Sequence, residues 1–170
     1  MTVRRLGADE TALLKALRLR SLAESPDAFA TTFADADAQP DAYWQEMTRS
    51  VTERGRHAMF VAEEVPSPLG VAFGLVDRER PAAAKLGGMW VDPAARGRGV
   101  GSALVEAVLA WARGRGFVRV SLWVTEGNSA AIALYERMGF AMTGGRDRLS
   151  PNRDRSILEM ARPLSSTPAA

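Results

Sequence analysis

The chain has 170 residues and a mass of 18.3 kDa, with 46% hydrophobic and 25% charged residues, which excludes wholesale disorder and favours one folded domain. It has no cysteine and a single histidine, His57, which excludes a disulfide scaffold, a cysteine nucleophile and a multi-histidine site, so we predict no metal. The net charge of +2 argues against a nucleic-acid partner, and the absence of long apolar segments predicts a cytoplasmic protein with no membrane partner.

Two helices are predicted in the first third of the chain. The first follows Asp9, a good N-cap residue, and ends at Ser25, because a residue before proline avoids the helical region. A loop containing Phe29 and Phe33 leads to Pro40, where the second helix begins. The predicted buried positions lie at helical spacing: Leu13, Leu14, Leu17 and Leu22 in the first helix, and Trp44, Met47 and Val51 in the second.

The hydrophobic period changes to that of strands after His57. Strands are predicted at residues 58–64, 69–76 and 85–91, with a hairpin turn at 66–68 between the first two. The adjacent Gly87 and Gly88 predict a bulge or a close approach of another chain segment in the third strand.

The second half of the chain alternates helices and strands. A helix at 100–115 carries Val100, Leu104, Val108 and Trp111 on one face, and residues 118–124 alternate as a strand. A short helix from Asn128 to Gly139, strands at 140–143 and 156–162, and a disordered tail at 165–170 complete the prediction. The order of elements predicts one mixed α/β domain over residues 1–164.

Residues 91–102, VDPAARGRGVGS, leave a strand, cross a glycine-rich turn and enter a helix. Glycines remove side chains where the backbone would approach a bulky group, and free amides at a helix start attract anions, most often phosphate. A P-loop would need Gly-Lys-Ser/Thr, and a dinucleotide fingerprint would need a different glycine spacing, so neither fits. Taken alone, the turn is also compatible with a tight strand-to-helix connection.

A second motif decides between these interpretations. Arg96-x-x-Gly99-x-Gly101, followed by Asn128-x-x-Ala131-x-x-Leu134-Tyr135-x-x-x-Gly139-Phe140, resembles the GNAT superfamily of acyl-CoA-dependent N-acyltransferases. The resemblance implies the GNAT fold, an α/β domain with a central mixed sheet, about four flanking helices and splayed strands that hold the cofactor. It also implies acetyl-CoA as the cosubstrate, an amine acceptor as the second partner, and a possible homodimer.

The resemblance further implies a role for each matching residue. The amides of the turn would hold the pyrophosphate of coenzyme A, the edge of the preceding strand would pair with the pantetheine arm, and Tyr135 would act as the general acid near the sulfur. An amide near Val91 would stabilise the oxyanion. The implied cofactor-binding residues are Met89, Trp90, Val91, Arg96, Gly97, Arg98, Gly99, Val100, Gly101, Ser102, Asn128, Ala131 and Tyr135.

One departure from the family pattern concerns the catalytic base. Many relatives carry a glutamate where this chain has Lys85, and a lysine is a poor base unless its pKa falls by several units. No base is assigned; the candidates are Asp77, Glu79, Glu126 and His57. This departure leaves open a GNAT-fold module that binds acyl-CoA without turnover. A second alternative, an arginine-mediated nucleic-acid binder, would use the arginine- and glycine-rich residues 96–101 and 113–116.

Charge placement gives a hypothesis about the acceptor. Residues 24–48 contain six acidic residues and no lysine or arginine. In the family, this region borders the acceptor side of the cleft, where negative charge would attract a cationic amine. The alternative is an acidic surface that only aids solubility. The six acids are Glu24, Asp27, Asp35, Asp37, Asp41 and Glu46.

Overall fold

The computed structural model describes residues 1–53, 57–150 and 153–164 of the chain. Within these ranges there are seven β-strands and five α-helices, and none of the helices is long and apolar enough to cross a membrane. The elements are β1 (Thr2–Arg5), α1 (Thr11–Glu24), α2 (Phe33–Asp37), α3 (Asp41–Thr52), β2 (Ala58–Glu64), β3 (Ser67–Val76), β4 (Ala83–Val91), α4 (Val100–Gly114), β5 (Arg119–Thr125), α5 (Ser129–Arg137), β6 (Ala141–Ser150) and β7 (Arg153–Pro163).

All seven described strands form one mixed sheet in the order β1-β2-β3-β4-β5-β7-β6. Neighbouring strands run antiparallel except β4 and β5, which are parallel and are joined through α4. This architecture confirms the predicted α/β class and mixed sheet, with five helices in the described ranges where about four were expected.

Different helices cover the two faces of the sheet. On one face, Leu104 and Val108 of α4 pack in a core with Leu122 of β5, and α5 contributes Tyr135. On the other face, α1 and α3 pack on β2, β3 and the end of β4. Each fully buried leucine or valine stabilises the fold by roughly 1.5–3 kcal/mol relative to an exposed position. The second core contains Leu14, Leu17, Leu22, Trp44, Val61, Val71 and Trp90.

The parallel strands β4 and β5 pair over only three residues and then diverge. The last paired residues are Lys85 of β4 and Ser121 of β5. Beyond them, β4 continues along β3 as far as Val91, and β5 continues along β7 as far as Thr125. A cleft therefore opens between the two strands, and in the described chain the β5-facing edge of β4 has no strand partner there.

A bulge in β4 lies at this divergence. Phe73 of β3 pairs with Gly87, whereas Val71 pairs with Trp90, so β4 contains one residue more than β3 over this stretch. Gly88 has a φ of 54°, and a Cβ there would lie 2.6 Å from Cδ2 of Phe73. The predicted bulge at the paired glycines is confirmed, and the close approach at Gly88 is by the side chain of Phe73.

Two predictions at the N-terminus are wrong. The structure adds the edge strand β1, which the sequence did not predict because only four residues with one apolar side chain form it. It also makes Glu10, not Asp9, the residue before α1. The Glu10 carboxylate does not cap the helix but accepts a hydrogen bond from the Gly7 amide (2.6 Å) and pairs with Arg4 (2.7 Å).

The loop predicted before Pro40 also contains secondary structure. A single 3₁₀ turn spans Pro26–Ala28, and α2 follows with the Thr32 hydroxyl capping it by accepting from the Asp35 amide (3.0 Å). Elements of three to five residues are too short to show a hydrophobic period. The β2–β3 turn lies at 65–66 rather than 66–68, because residues 67 and 68 already pair with β2.

The last two strands are longer than predicted. Phe140 precedes β6 and is buried, and β6 extends to residue 150 where 143 was expected. Strand β7 runs from 153 to 163, where 156–162 was predicted. Arg146, Asp147 and Arg148, which lie between the two predicted strands, pair as part of β6 at the sheet edge, where their side chains are exposed to solvent. The tail predicted at 165–170 lies outside the described residues.

Candidate active site

The glycine turn, residues 96–102, presents backbone amides at the start of α4. Gly97 and Gly99 have φ values of 77° and 81°, in the left-handed region that glycine adopts without strain. The first hydrogen bond of the helix runs from the Ala103 amide to the Gly99 carbonyl (3.1 Å). The three preceding amides lie outside this helical ladder and form a site suited to an anion: those of Val100, Gly101 and Ser102.

The two arginines of the glycine turn are held by carboxylates from elsewhere in the fold. The Arg96 guanidinium pairs with Glu24 (2.7 Å) and donates through Nε to the Val91 carbonyl (3.1 Å). The Arg98 guanidinium pairs with Glu64 (2.6 Å). Both arginines thus lie at the turn as predicted, and each already has an acidic partner.

A small cavity of about 110 Å³, here called the cleft cavity, lies where β4 and β5 diverge. Residues 86–89 of β4 and 123–125 of β5 form its walls, and Phe29 closes one side. Of the predicted cofactor-binding residues, Met89, Asn128, Ala131 and Tyr135 line it together. The structure thereby brings Met89, near the end of β4, together with three residues of the second motif.

Trp90 lies on the opposite face from this cavity. Its side chain is buried in the core under α1 and α3, and its Nε1 donates to the Glu24 carboxylate (2.9 Å). Only the backbone of Trp90 is therefore available for the predicted pairing with the pantetheine arm. At Gly101, a Cβ would lie 3.0 Å from Cδ2 of Leu134 and 3.2 Å from Cε of Met89, so glycine lets α5 and β4 approach the start of α4.

Tyr135 is buried between α5 and the end of β4. Its hydroxyl donates to Sδ of Met89 (3.6 Å), and its ring packs against Phe140 with centroids 5.9 Å apart. Burial raises the pKa of Tyr135 to about 12. The hydroxyl is therefore protonated throughout the neutral range, as a proton donor must be, although it is a weaker acid than a free tyrosine.

Asn128 begins α5 and borders the cleft cavity. Its Oδ1 accepts a hydrogen bond from the Ala131 amide (3.2 Å), which confirms the predicted N-cap. The cap orients the side chain, so that its amide nitrogen is the group left to serve a ligand.

A second space of about 410 Å³, here called the outer cavity, adjoins the cleft cavity. It lies between the end of α1 with the following 3₁₀ turn and the end of β5. Ala28, Thr125 and Asn128 line both cavities, so the two spaces meet at these residues. A ligand in one cavity would contact a ligand in the other here.

Three acidic residues line the outer cavity, and each pairs with an arginine. Most of the acidic segment 24–48 is neutralised in the same way, because Asp41 pairs with Lys15 (3.4 Å) and Glu46 with Arg49 (2.8 Å). The local negative charge is therefore smaller than the sequence count indicates. The cavity pairs are Glu24 with Arg96 (2.7 Å), Asp27 with Arg155 (2.9 Å) and Glu126 with Arg146 (3.1 Å).

Lys85 is paired with a buried carboxylate just below the cleft. Its ammonium lies 3.1 Å from Oδ1 of Asp77, which is 1% exposed. Burial by itself raises the pKa of Asp77, but hydrogen bonds from Lys85 and from the backbone amides of Glu79 and Arg80 outweigh it, and the pKa lies below its ordinary value. With its pKa lowered, Asp77 is a poor proton acceptor near neutral pH.

The other base candidates lie in different places. Glu79 is exposed in the β3–β4 connection, and Nδ1 of His57 accepts from the Val76 amide (3.0 Å). Among the described residues, Glu126 is the only one of the candidates that lines either cavity.

Several residues of the site carried no sequence motif. Trp123 is 39% exposed and lines the cleft cavity. The alternation of β5 had placed it opposite the residues that face α4, which is the available signal. Phe29, Thr125 and Arg155 become part of the site only through the way the 3₁₀ turn crosses the end of β5.

The comparison with known proteins agrees with this geometry. The model of the acetyltransferase (GNAT) family matches residues 19–140. A mycothiol acetyltransferase from Salinispora tropica is 38% identical over 141 residues, covering 81% of this chain and 43% of that protein. The chain belongs to the acetyltransferase (GNAT) family, whose cosubstrate is acetyl-CoA, and the predictions of family and cosubstrate are confirmed.

Solved structures share the fold at lower identity. A phosphinothricin acetyltransferase from Sinorhizobium meliloti in complex with acetyl-CoA has a TM-score of 0.77 at 22% identity, covering 99% of this chain and 91% of that one. A GNAT-family acetyltransferase from Streptococcus pneumoniae has a TM-score of 0.79 at 20% identity, covering 96% and 99%. The predicted GNAT fold is thus confirmed. The chain spans less than half the length of the mycothiol acetyltransferases that it matches.

Proposed function

We propose that this chain, over residues 1–164, transfers an acetyl group from acetyl-CoA to a primary amine by direct attack in a ternary complex. The observation that carries the proposal is the junction of the two cavities at Ala28, Thr125 and Asn128. A donor in the cleft cavity and an acceptor in the outer cavity would place their reacting groups there. Holding two reactants in this way removes much of the entropic barrier to their reaction.

The residues fit the donor at three places. The amides of residues 100–102 are suited to binding the diphosphate. The edge of β4 from Met89 to Val91, which has no strand partner on the β5 side, is suited to pairing with the amide groups of the pantetheine arm. Asn128 and Ala131 would contact the same arm from α5. Arg96 and Arg98 would add positive charge beside the diphosphate.

When bound, acetyl-CoA supplies the activated acyl group as a thioester. The amine nitrogen forms the new C–N bond, the C–S bond breaks, the amine loses one proton and the sulfur gains one. A backbone amide near Val91 would stabilise the negative charge that develops on the carbonyl oxygen. The chain contains no cysteine, which agrees with direct transfer without an acyl-enzyme.

Tyr135 is the proposed proton donor to the leaving sulfur. Its hydroxyl already contacts a sulfur atom, Sδ of Met89, in the wall of the cleft cavity. Because the raised pKa lies above that of an ordinary thiol, the hydroxyl would serve the sulfur chiefly as a hydrogen-bond donor. That hydrogen bond would strengthen in the transition state as negative charge accumulates on the sulfur.

The amine also needs a proton acceptor, and Glu126 is the best-placed candidate. It lines the outer cavity, and its partner Arg146 is itself exposed. It would act through water. Lys85 and Asp77 are unsuited because they neutralise each other.

The acceptor stays a primary amine of unassigned identity, with a cationic amine as the working hypothesis. We also predict a homodimer and a cytoplasmic location. The relatives named mycothiol acetyltransferase make the acceptor of that enzyme one member of the panel to be tested.

The test is a screen of amine acceptors with purified protein and acetyl-CoA, read as thiol release and confirmed by mass of the acetylated product. The proposal is supported if acetylated product forms with at least one amine and if no product forms in a control reaction that lacks the protein. Absence of product with every amine, together with tight CoA binding by calorimetry, would favour the second candidate. That candidate is a module that binds acyl-CoA without turnover, and the Lys85–Asp77 pair is the observation in its favour.

A further inference from the structure

The end of α1 is joined to the end of β4 by an unusual concentration of polar contacts. Oε2 of Glu24 accepts hydrogen bonds from Nε1 of Trp90 (2.9 Å), from the Arg96 guanidinium (2.7 Å) and from the neighbouring Ser25 hydroxyl. Three donors on one carboxylate oxygen hold that side chain in one orientation. The side chain is 31% exposed and lines the outer cavity.

A second ion pair lies one helical turn earlier. Arg20 of α1 pairs with Asp92, and its guanidinium lies 5.3 Å from the centre of the Trp90 ring. Asp92 in turn accepts from the Ala94 amide (2.9 Å) and so shapes the connection that leads to the glycine turn. The last turn of α1 is therefore attached to the β4–α4 connection at two points.

Arg96 is the residue through which Glu24 reaches the glycine turn. Its Nε donates to the Val91 carbonyl, and its other side meets Glu24, so the guanidinium bridges α1 and the last residue of β4. Without Glu24, only the single bond to Val91 would orient a long, half-exposed side chain. Most rotamers of a free arginine would direct the charge away from the turn.

We propose that Glu24 is a positioning residue that, through Arg96, holds the end of β4 and the glycine turn in the geometry that binds the diphosphate of acetyl-CoA. The inference rests on the proposed function, since it takes residues 96–102 as the diphosphate site. It assigns a donor-site role to a side chain that borders the acceptor cavity. Changes at the two sites are thereby coupled through one carboxylate.

The chain offers a matched control for this inference. Glu64 pairs with Arg98, the other arginine of the same turn, at a comparable distance and exposure. It lies on β2 and is not among the residues that line the outer cavity. Neutralising either glutamate removes one negative charge near the turn, but only Glu24→Gln weakens the support of Arg96 and Trp90.

The experiment measures CoA affinity by calorimetry in wild type, Glu24→Gln, Glu64→Gln, Arg96→Gln and the Glu24→Gln/Arg96→Gln double variant. Glu24→Gln should weaken binding about fivefold, the effect expected of a well-oriented, partly exposed ion pair with added hydrogen bonds. Glu64→Gln should bind as well as wild type or tighter. The double variant should bind within twofold of Arg96→Gln, because Glu24 acts through that residue.

Four outcomes would overturn the proposal. If Glu24→Gln binds CoA more tightly than wild type, the carboxylate only repels the diphosphate. If the two losses multiply in the double variant, Glu24 does not act through Arg96. If Glu24→Gln leaves CoA affinity unchanged, whether or not the melting temperature falls, Glu24 does not position the diphosphate site. If wild type binds no CoA, the proposed site fails as well, whereas in the first three cases it survives.

Discussion

The Tyr135 hydroxyl lies 3.6 Å from Sδ of Met89, so a side chain of α5 reaches a sulfur atom on β4 across the cleft between the diverging strands. Tyr135 belongs to the second sequence motif, and Met89 lies on the strand that leads to the glycine turn. Their contact marks the position at which the thioester sulfur of acetyl-CoA is expected.

The first prediction follows from this contact. Tyr135→Phe should lower kcat at least tenfold and leave the KM for acetyl-CoA within a few-fold, because the packing against Phe140 is kept and only the proton donor is lost. Steady-state kinetics with the best acceptor from the amine screen measures both constants. A Phe variant with full kcat would mean that solvent protonates the departing thiolate.

The raised pKa of Tyr135 predicts a loss of stability in alkali. The pKa is about 12 in the folded protein against an ordinary value of 10.0, so the unfolded chain releases this proton at lower pH than the folded protein does. The stabilisation is complete below pH 10 and is lost as the pH rises towards 12, amounting to about 2 kcal/mol in the free energy of unfolding. Urea denaturation at pH 9 and at several values up to 12 measures it.

The control for that experiment is the other tyrosine of the chain. Tyr135→Phe should remove this part of the alkaline decline, whereas Tyr43→Phe, at a position 40% exposed on α3, should leave it in place. Equal alkaline declines in wild type and Tyr135→Phe would contradict the burial argument.

The third prediction tests the glycine turn by charge alone. Gly99 has a φ of 81° and open space around the position of a Cβ, and asparagine and aspartate are the residues that best tolerate this conformation. Gly99→Asp should weaken CoA binding at least tenfold relative to Gly99→Asn, because the two differ only in a negative charge beside the diphosphate. Calorimetry on both folded variants measures their affinities for CoA. Equal affinities of the two variants would mean that the diphosphate binds elsewhere.

The fourth prediction concerns the acidic segment and a cationic acceptor. Replacing Asp35, Asp37 and Asp41 together by Asn should raise the acceptor KM at low salt and flatten its dependence on ionic strength. We expect an increase of about two- to threefold, because other acids of the segment are paired with arginines. An unchanged KM at low salt, or a best acceptor that is neutral or anionic, would exclude steering.

The local sequence predicted helices, strands and the family wherever a long hydrophobic period or a motif of fixed spacing was present. The heptad-like apolar face of α4 predicts that helix within one residue, and strand β2 is predicted with its observed bounds. The spacing of Arg96, Gly99 and Gly101, followed by the second motif, predicts the family, which is confirmed, and indicates the residues that we propose for the donor site. These features depend on residues close together in the chain, where spacing alone determines which side chains share a face.

The tertiary structure decided what depends on distant contacts. The outer cavity exists because the 3₁₀ turn at Pro26–Ala28 lies beside the end of β5, about a hundred residues later in the chain. The pairs of Glu24 with Arg96 and of Lys85 with Asp77 likewise join segments whose proximity follows from sheet order and helix packing. Charge counted along a sequence cannot show such neutralisation, because Coulomb interactions depend on distances in space, and these are set only when the strands and helices pack together.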